Sequence, residues 1–91
     1  MYSLLYIILS LIEGIMGNLK PKLLITNTIH ILRVEKKLTQ QQLADEIGVT
    51  RLTVSSLEKG KYNPSLELAL RISIFFEKSI HEVFIVGEGN E

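Results

Sequence analysis

The sequence of 91 residues contains no cysteine and no tryptophan, and it has only two prolines and two histidines. Without cysteine the chain can form neither a disulfide nor a thiolate metal site, which is compatible with a reducing cytoplasm. His30 and His81 lie far apart and lack the spacing of metal ligands. The sequence has no phosphate-binding glycine loop and no serine in a nucleophile turn. We therefore expect no enzymatic activity, no bound metal and no cofactor.

An excess of charge of one sign is also missing, since 10 basic and 10 acidic residues give a formal net charge of zero. The distribution is uneven, with a net charge of +4 over residues 20–64 and −3 over residues 65–91. Such a molecule can present a basic face to nucleic acid while it stays neutral as a whole. Affinity for DNA of arbitrary sequence should be modest, and dimerisation would raise it.

The N-terminal segment Tyr2–Ile12 is nearly all apolar. It is shorter than the roughly 18–20 residues that span a bilayer, and it lacks the positively charged start of a signal peptide. Four interpretations stay open. The segment is a helix packed on the domain or on a second subunit, a leader before a functional start at Met16, or a β-strand. In the fourth, residues 2–19 contact a membrane as a weak anchor, with Lys20 and Lys22 on the cytoplasmic side.

The most informative pattern lies in Gln40–Leu57, which reads as two short helices joined by a tight turn. Ala44 is small where the second helix must approach the first. Gly48 lies where the chain leaves the first helix, a position that favours positive φ. Val54 is apolar on the inner face of the second helix. This spacing is typical of a DNA-binding helix-turn-helix, although a plain helical hairpin has a similar pattern.

Capping signals predict the elements on either side of this unit. A first helix is expected from about Thr26 to Lys37, capped by Thr26 or Asn27. Thr39 and Ser79 each begin a capping box, and Ser65 caps a fourth helix after the loop. Five apolar residues at core spacing predict the buried face of that fourth helix: Leu66, Ala69, Leu70, Ile72 and Phe76.

The residues at the start of a recognition helix lie deepest in the major groove. We expect this helix at about Thr50–Lys59, where the Arg51 guanidinium can bind guanine O6 and N7 together. Leu52 either contacts a thymine methyl group or packs within the protein. The predicted base contacts are Arg51, Leu52, Ser55 and Ser56. The predicted phosphate contacts are Gln40, Thr50, Thr53, Lys59, Lys61, Tyr62 and Asn63. The amide of Gln40, at a helix start, adds a favourable dipole.

Motif residues at Leu38–Gln40, Ile47–Val49, Leu57–Ser65 and Ile80–Phe84 carry a wider resemblance. Through them residues 24–85 resemble the Xre/Cro-type, phage-repressor-like helix-turn-helix domains. The resemblance implies a compact fold of five helices, dimeric binding of operator DNA and regulation of transcription.

The resemblance also assigns structural roles and reveals two departures from the family. It implies that Arg33 on the first helix pairs with Glu58 at the end of the recognition helix and so positions that helix. The departures are Leu52, where many relatives carry a polar base-contacting residue, and Ser73, where alanine is frequent. The apolar N-terminus has no counterpart in the family motif.

We therefore predict an all-α protein with a compact five-helix repressor-like domain at residues 24–85. An apolar N-terminal extension, expected to be helical, precedes it at residues 1–23, and a flexible tail follows at residues 86–91. The predicted function is sequence-specific binding of double-stranded DNA by a cytoplasmic, homodimeric transcriptional regulator. Two alternatives stay open. One is an antitoxin-type module that binds a toxin-like protein partner and regulates its own operon, and the other is a membrane-tethered regulator.

Overall fold

A computed structural model describes residues 3–16 and 23–88, which form six helices and a sheet of two strands. The elements in chain order are α1 (Leu4–Met16), β1 (Leu23–Asn27), α2 (Ile29–Glu35), α3 (Gln40–Ile47), α4 (Arg51–Glu58), α5 (Leu66–Phe76), α6 (Ile80–Val83) and β2 (Phe84–Glu88).

The two strands correct the all-α prediction. β1 and β2 are antiparallel, in a register that runs from the pair Leu23 and Glu88 to the pair Asn27 and Phe84. Each strand begins with three apolar residues, and hydrophobic periodicity cannot distinguish such a short run from part of a buried helix. The two strands lie about 60 positions apart in the sequence, so no local sequence pattern predicts their pairing. The domain boundaries predicted after residues 23 and 85 fall inside these strands.

The helix predicted to begin at Thr26 begins instead at Ile29 and ends at Glu35. Thr28 occupies its N-cap position without a side-chain capping bond. The Asn27 side chain supplies the acceptor, since its Oδ1 lies 3.0 Å from the Ile29 backbone nitrogen. The prediction that Thr26 or Asn27 is the N-cap is therefore wrong, since both belong to β1, although the Asn27 side chain does bind the first amide of the helix.

The core lies among α2, α3, α4, α5 and α6, with Phe84 of β2 closing it. Its fully enclosed side chains include Ile29, Leu43, Ile47, Val54, Leu57, Ile72 and Val83. The predicted inner face of α5 is partly wrong, because Leu66 and Leu70 are exposed while Leu68 is buried. The helix has apolar residues on two faces, so spacing alone could not identify the inner one. Ser73 is buried, and its hydroxyl has no partner among the described residues.

The structure describes part of the N-terminal segment and part of the predicted C-terminal tail. The predicted N-terminal helix is present as α1, whose 13 residues expose Leu4 and Leu11. Within residues 3–16 and 23–88, no helix has the length and apolar character needed to cross a bilayer. Lys20 and Lys22 lie outside the described residues. Residues 86–88, assigned to a flexible tail from the sequence, belong to β2, and residues 89–91 lie outside the described ranges.

Candidate nucleic-acid interface

The turn between α3 and α4 has the backbone conformation that the sequence predicts. Gly48 has φ of 77° and ψ of 37°, in the left-handed region that glycine tolerates best. The backbone amides of Gly48 and Val49 both donate to the Ala44 carbonyl, at 2.9 and 3.0 Å. A Cβ on Gly48 would lie 3.1 Å from Nη1 of Arg71. That same nitrogen donates to the Ile47 carbonyl, so Arg71 helps to close the end of α3.

The start of α4 is fixed by a side-chain cap and by two core contacts. The Thr50 hydroxyl oxygen accepts from the Thr53 amide at 3.2 Å, which satisfies a free N–H of the first turn. Val54 and Leu57 are fully buried against the core, with Ala44 of α3 also fully buried. These contacts set the rotation of α4, so its opposite side faces solvent.

A charged network fixes the C-terminal end of α4. Arg33 donates from Nε to Oε2 of Glu58 at 2.6 Å and from Nη2 to Oε1 at 3.2 Å. The two side chains are only 12% and 6% exposed. Gln40 Nε2 donates to the same carboxylate at 3.1 Å, and Arg33 Nη1 donates to the Leu38 carbonyl at 2.7 Å. The pair implied by the family resemblance is therefore present, and it joins α2, the start of α3 and α4.

This network changes the acidity of Glu58. Burial alone would raise the pKa of its carboxyl group, but the hydrogen bonds from Arg33 and Gln40 and the charge of Arg33 outweigh that effect. The pKa of Glu58 is therefore lowered from its ordinary value of 4.5. The group is an anion at neutral pH, held by a permanently charged guanidinium. In residues 3–16 and 23–88, no group of three or more acidic or histidine side chains could hold a metal ion.

Asn27 helps to hold α4 in place, a role that the sequence did not predict. Its Nδ2 donates to the Leu57 carbonyl at 2.7 Å, while its Oδ1 accepts from the Ile29 amide. One amide side chain thus links β1, the start of α2 and the last turn of α4. The contact spans 30 sequence positions, so no local motif contained it.

The predicted base-contacting residues occupy the outer side of α4. Arg51 and Leu52 are exposed, and Ser55 and Ser56 are half-buried. The Arg51 side chain makes no hydrogen bond or ion pair within the described part of the chain. The Leu52 side chain is 69% exposed. The alternative that Leu52 packs within the protein therefore does not hold for the described part of the chain.

The predicted phosphate-contacting residues divide into two groups. Lys59, Lys61, Tyr62 and Asn63 are exposed at the end of α4 and in the loop that follows. The others already have partners in the protein. The Gln40 side chain binds Glu58, and the hydroxyl oxygens of Thr50 and Thr53 lie 3.0 Å apart. For Gln40 the group left for an anion is therefore the backbone amide at the start of α3.

Comparison with known sequences gives the family. Residues 29–83, more than half of the chain, match the sequence model of the family described as Helix-turn-helix. The chain belongs to the Xre/Cro-type helix-turn-helix family. In this helix-turn-helix protein, α3 is the first helix of the motif and α4 is the second, which is the recognition helix of such motifs.

Relatives of this helix-turn-helix protein come from archaea, bacteria and phages. An uncharacterized HTH-type transcriptional regulator of Methanocaldococcus jannaschii is 46% identical over 59 residues, which is 65% of this chain and 89% of the relative. The cryptic phage CTXphi transcriptional repressor RstR of Vibrio cholerae is 35% identical over 65 residues, or 71% of this chain and 59% of that protein. The restriction-modification controller protein C.AhdI from Aeromonas hydrophila aligns with a TM-score of 0.54 and 31% identity, over 59% of this chain and 78% of its own.

Proposed function

We propose that this helix-turn-helix protein is a transcriptional regulator that binds a specific double-stranded DNA sequence as a homodimer, with α4 in the major groove. The observation that carries the proposal is the outer side of α4. Its first two residues, Arg51 and Leu52, are exposed on a helix whose position is fixed at both ends. A rigid helix with a free N-terminal face is what direct reading of base edges requires.

Arg51 is the residue that we propose for guanine. Its guanidinium is free of protein partners in the described residues, and it can donate two hydrogen bonds to O6 and N7 of one guanine. Ser55 and Ser56 lie on the next turn of the helix and have shorter side chains. They contribute hydrogen bonds to bases directly or through water, with weaker discrimination than a bidentate arginine.

The DNA backbone contacts determine the orientation of α4 rather than the sequence that it reads. Lys59, Lys61, Tyr62 and Asn63 supply the exposed charge and hydrogen-bonding groups beside one phosphate strand. The amide of Gln40 at the start of α3 supplies an N–H and the positive end of a helix dipole. The Thr50 side chain caps α4, and the hydroxyl groups of Thr50 and Thr53 lie together at the start of this helix, at the proposed edge of the groove.

A second set of residues holds the recognition helix without touching DNA. The Arg33–Glu58 pair anchors the end of α4, Gly48 permits the turn, and Ala44 and Val54 pack between the two helices. Loss of any of these contacts would move the base-reading side chains, and a shift of about 1 Å is enough to weaken a recognition site.

Affinity and geometry both support a homodimer. The zero net charge limits attraction to DNA of arbitrary sequence, so one copy of a domain this small has few phosphate contacts. Two copies related by a two-fold axis would place two α4 helices in successive major grooves, with half-sites roughly 34–36 Å apart. The relatives named above as transcriptional regulators and as a repressor support regulation as the biological outcome.

Selection of an operator from a random duplex library, with the full chain as bait, tests the proposal. Fluorescence anisotropy would then compare the selected duplex with a scrambled one over a range of salt concentrations. We expect tighter binding to the selected duplex and a linear fall of log K with log salt concentration. Absence of salt-sensitive binding even at low ionic strength would refute the proposal.

A further inference from the structure

Leu52 is an exposed leucine at the second position of the recognition helix, and it has no structural role in the described fold. Its side chain is 69% exposed, in contrast to the fully buried Val54 two residues later. The α4 inner face is therefore complete without it. An exposed leucine needs no partner in itself, but this one occupies the second position of the proposed recognition helix, where side chains would enter the groove most deeply.

The surroundings of Leu52 suggest what it meets. Leu52, Thr53, Ser56 and Tyr62 line a shallow open depression of about 300 Å³. The Thr53 hydroxyl oxygen lies 3.0 Å from that of Thr50, and the Thr53 side chain also carries a methyl group that can contribute apolar surface to the depression. The Tyr62 ring and the Leu52 side chain add apolar surface, and Ser56 adds one hydroxyl group.

We infer that this depression recognises the C5-methyl group of a thymine in the operator. Of the four DNA bases, thymine alone presents a methyl group in the major groove, next to the O4 acceptor. Leu52, Thr53 and Tyr62 provide apolar contact for the methyl group, while the Ser56 hydroxyl can donate to O4. The inference rests on the proposed function, because it assumes that α4 lies in the major groove.

The expected size of the effect follows from the burial of one methyl group. Removal of a CH₂-sized group from an apolar contact changes an equilibrium by about four-fold. A hydrogen-bonding side chain at this position would respond instead to changes at O4 or N4. Methyl dependence is thus the property that separates an apolar reader from a polar one.

The test uses the full chain and its selected operator. Each thymine is replaced in turn by 2′-deoxyuridine, which removes only the methyl group, and binding is measured by fluorescence anisotropy. We expect one position in each half-site where the replacement weakens binding about four-fold. In Leu52→Ala the same replacement should have a clearly smaller effect, because the largest apolar contact is gone while Thr53 and Tyr62 remain. A 5-methylcytosine at that position should bind more tightly than cytosine, and this advantage should be smaller in Leu52→Ala.

Leu66→Ala is the matched control. Leu66 is 70% exposed and lies in the first turn of α5, so it resembles Leu52 in exposure and helix position but lies on another helix. This variant should keep the wild-type response to deoxyuridine. Circular dichroism should give wild-type melting curves for Leu52→Ala, because the side chain removed is exposed.

The outcomes separate the inference from the proposed function. Failure of the wild-type chain to bind any selected duplex would overturn both. Specific binding in which no thymine shows methyl dependence would overturn the inference alone. So would a deoxyuridine effect of the same size in wild type and in Leu52→Ala.

Discussion

Replacement of Glu58 by glutamine should destabilise the fold far more than the same replacement at Glu67. Each carboxylate binds an arginine at nearly the same distance, 2.6 Å for Glu58 with Arg33 and 2.7 Å for Glu67 with Arg71. The difference is burial, since the Glu58 side chain is 6% exposed and the Glu67 side chain is 80% exposed. The two variants therefore compare one chemical change in two environments.

Breaking a buried ion pair typically costs about 3–5 kcal/mol, because one charge is left buried without compensation. Glutamine at position 58 keeps an oxygen that can accept one hydrogen bond from Arg33, so we expect a loss of about 2–3 kcal/mol. At the exposed pair the loss should be below about 1 kcal/mol. With Arg33→Met in the background, Glu58→Gln should cost at least about 1 kcal/mol less than it does alone.

Urea-induced unfolding followed by far-UV circular dichroism measures these losses at one fixed protein concentration, since a dimer's stability depends on concentration. The reasoning would be refuted by losses at Glu58 and Glu67 that agree within error. Full additivity of Arg33→Met and Glu58→Gln would contradict the direct coupling between the two groups.

The Glu58→Gln variant also tests how the stabilisation by this network depends on pH. The pKa of Glu58 in the folded protein lies below its ordinary value of 4.5, so the unfolded chain takes up the proton at a higher pH than the folded one. The stabilisation is therefore fully present above about pH 4.5 and is lost as the pH falls through the lowered pKa. The stability difference between wild type and Glu58→Gln should shrink below that pH. A difference that stays constant down to about pH 3 would show that Glu58 does not stabilise the fold as an anion.

Three further predictions concern the turn, the core and the DNA contacts. Gly48→Ala should lower the free energy of unfolding by about 1–2 kcal/mol, because its φ is 77° and its Cβ would lie 3.1 Å from Arg71 Nη1. Gly60→Ala, with φ of 71° and open space around it, should cost less in the same urea titration. Ser73→Ala should raise stability by about 1 kcal/mol, since the buried hydroxyl has no partner in the described residues, and a loss would contradict this. In anisotropy titrations Arg51→Ala should relax preference at one base position by about 1–3 kcal/mol, whereas Lys61→Ala should weaken all duplexes alike and reduce the salt slope by about 1. Equal losses on every duplex for Arg51→Ala would contradict its assignment to a base.

The features predicted correctly from the sequence are those determined within one helical turn. Thr39 and Gln42 form both bonds of a capping box, as do Ser79 and Glu82. Gly48 has the left-handed conformation expected of a helix end. Each of these depends on residues three or four positions apart, so the local sequence contains the whole cause.

The features that the sequence did not reveal depend on residues far apart in the chain. The β1–β2 pairing and the Asn27 contact with the Leu57 carbonyl both join segments that no local pattern relates. The inner face of α5 was misassigned at Leu66 and Leu70 because apolar residues occur on both sides of this helix. The Arg33–Glu58 contact was expected only through family resemblance, since spacing alone does not relate residues on two helices.

The roles of the DNA-contacting residues are predictions for a physical reason. A base contact exists only when DNA is present, so the free protein gives exposure and position but no partner for Arg51. The fold does limit the possible roles of two of these residues. The exposed Leu52 has no role in the core, and the Gln40 side chain is already bound to Glu58.

The location of the DNA contact is best measured by an NMR titration of the full, ¹⁵N-labelled chain with its selected operator duplex. We expect the largest amide shifts in residues 50–56 of the turn and α4, and in residues 59–63 of the loop after it. Small shifts are expected in α5. Its residues Leu66 and Ile74 are about as exposed as Leu52, so they serve as a reference for exposed residues that do not contact DNA. The largest shifts on α5 or on the β1–β2 sheet, with α4 unaffected, would contradict the assignment of α4 as the recognition helix.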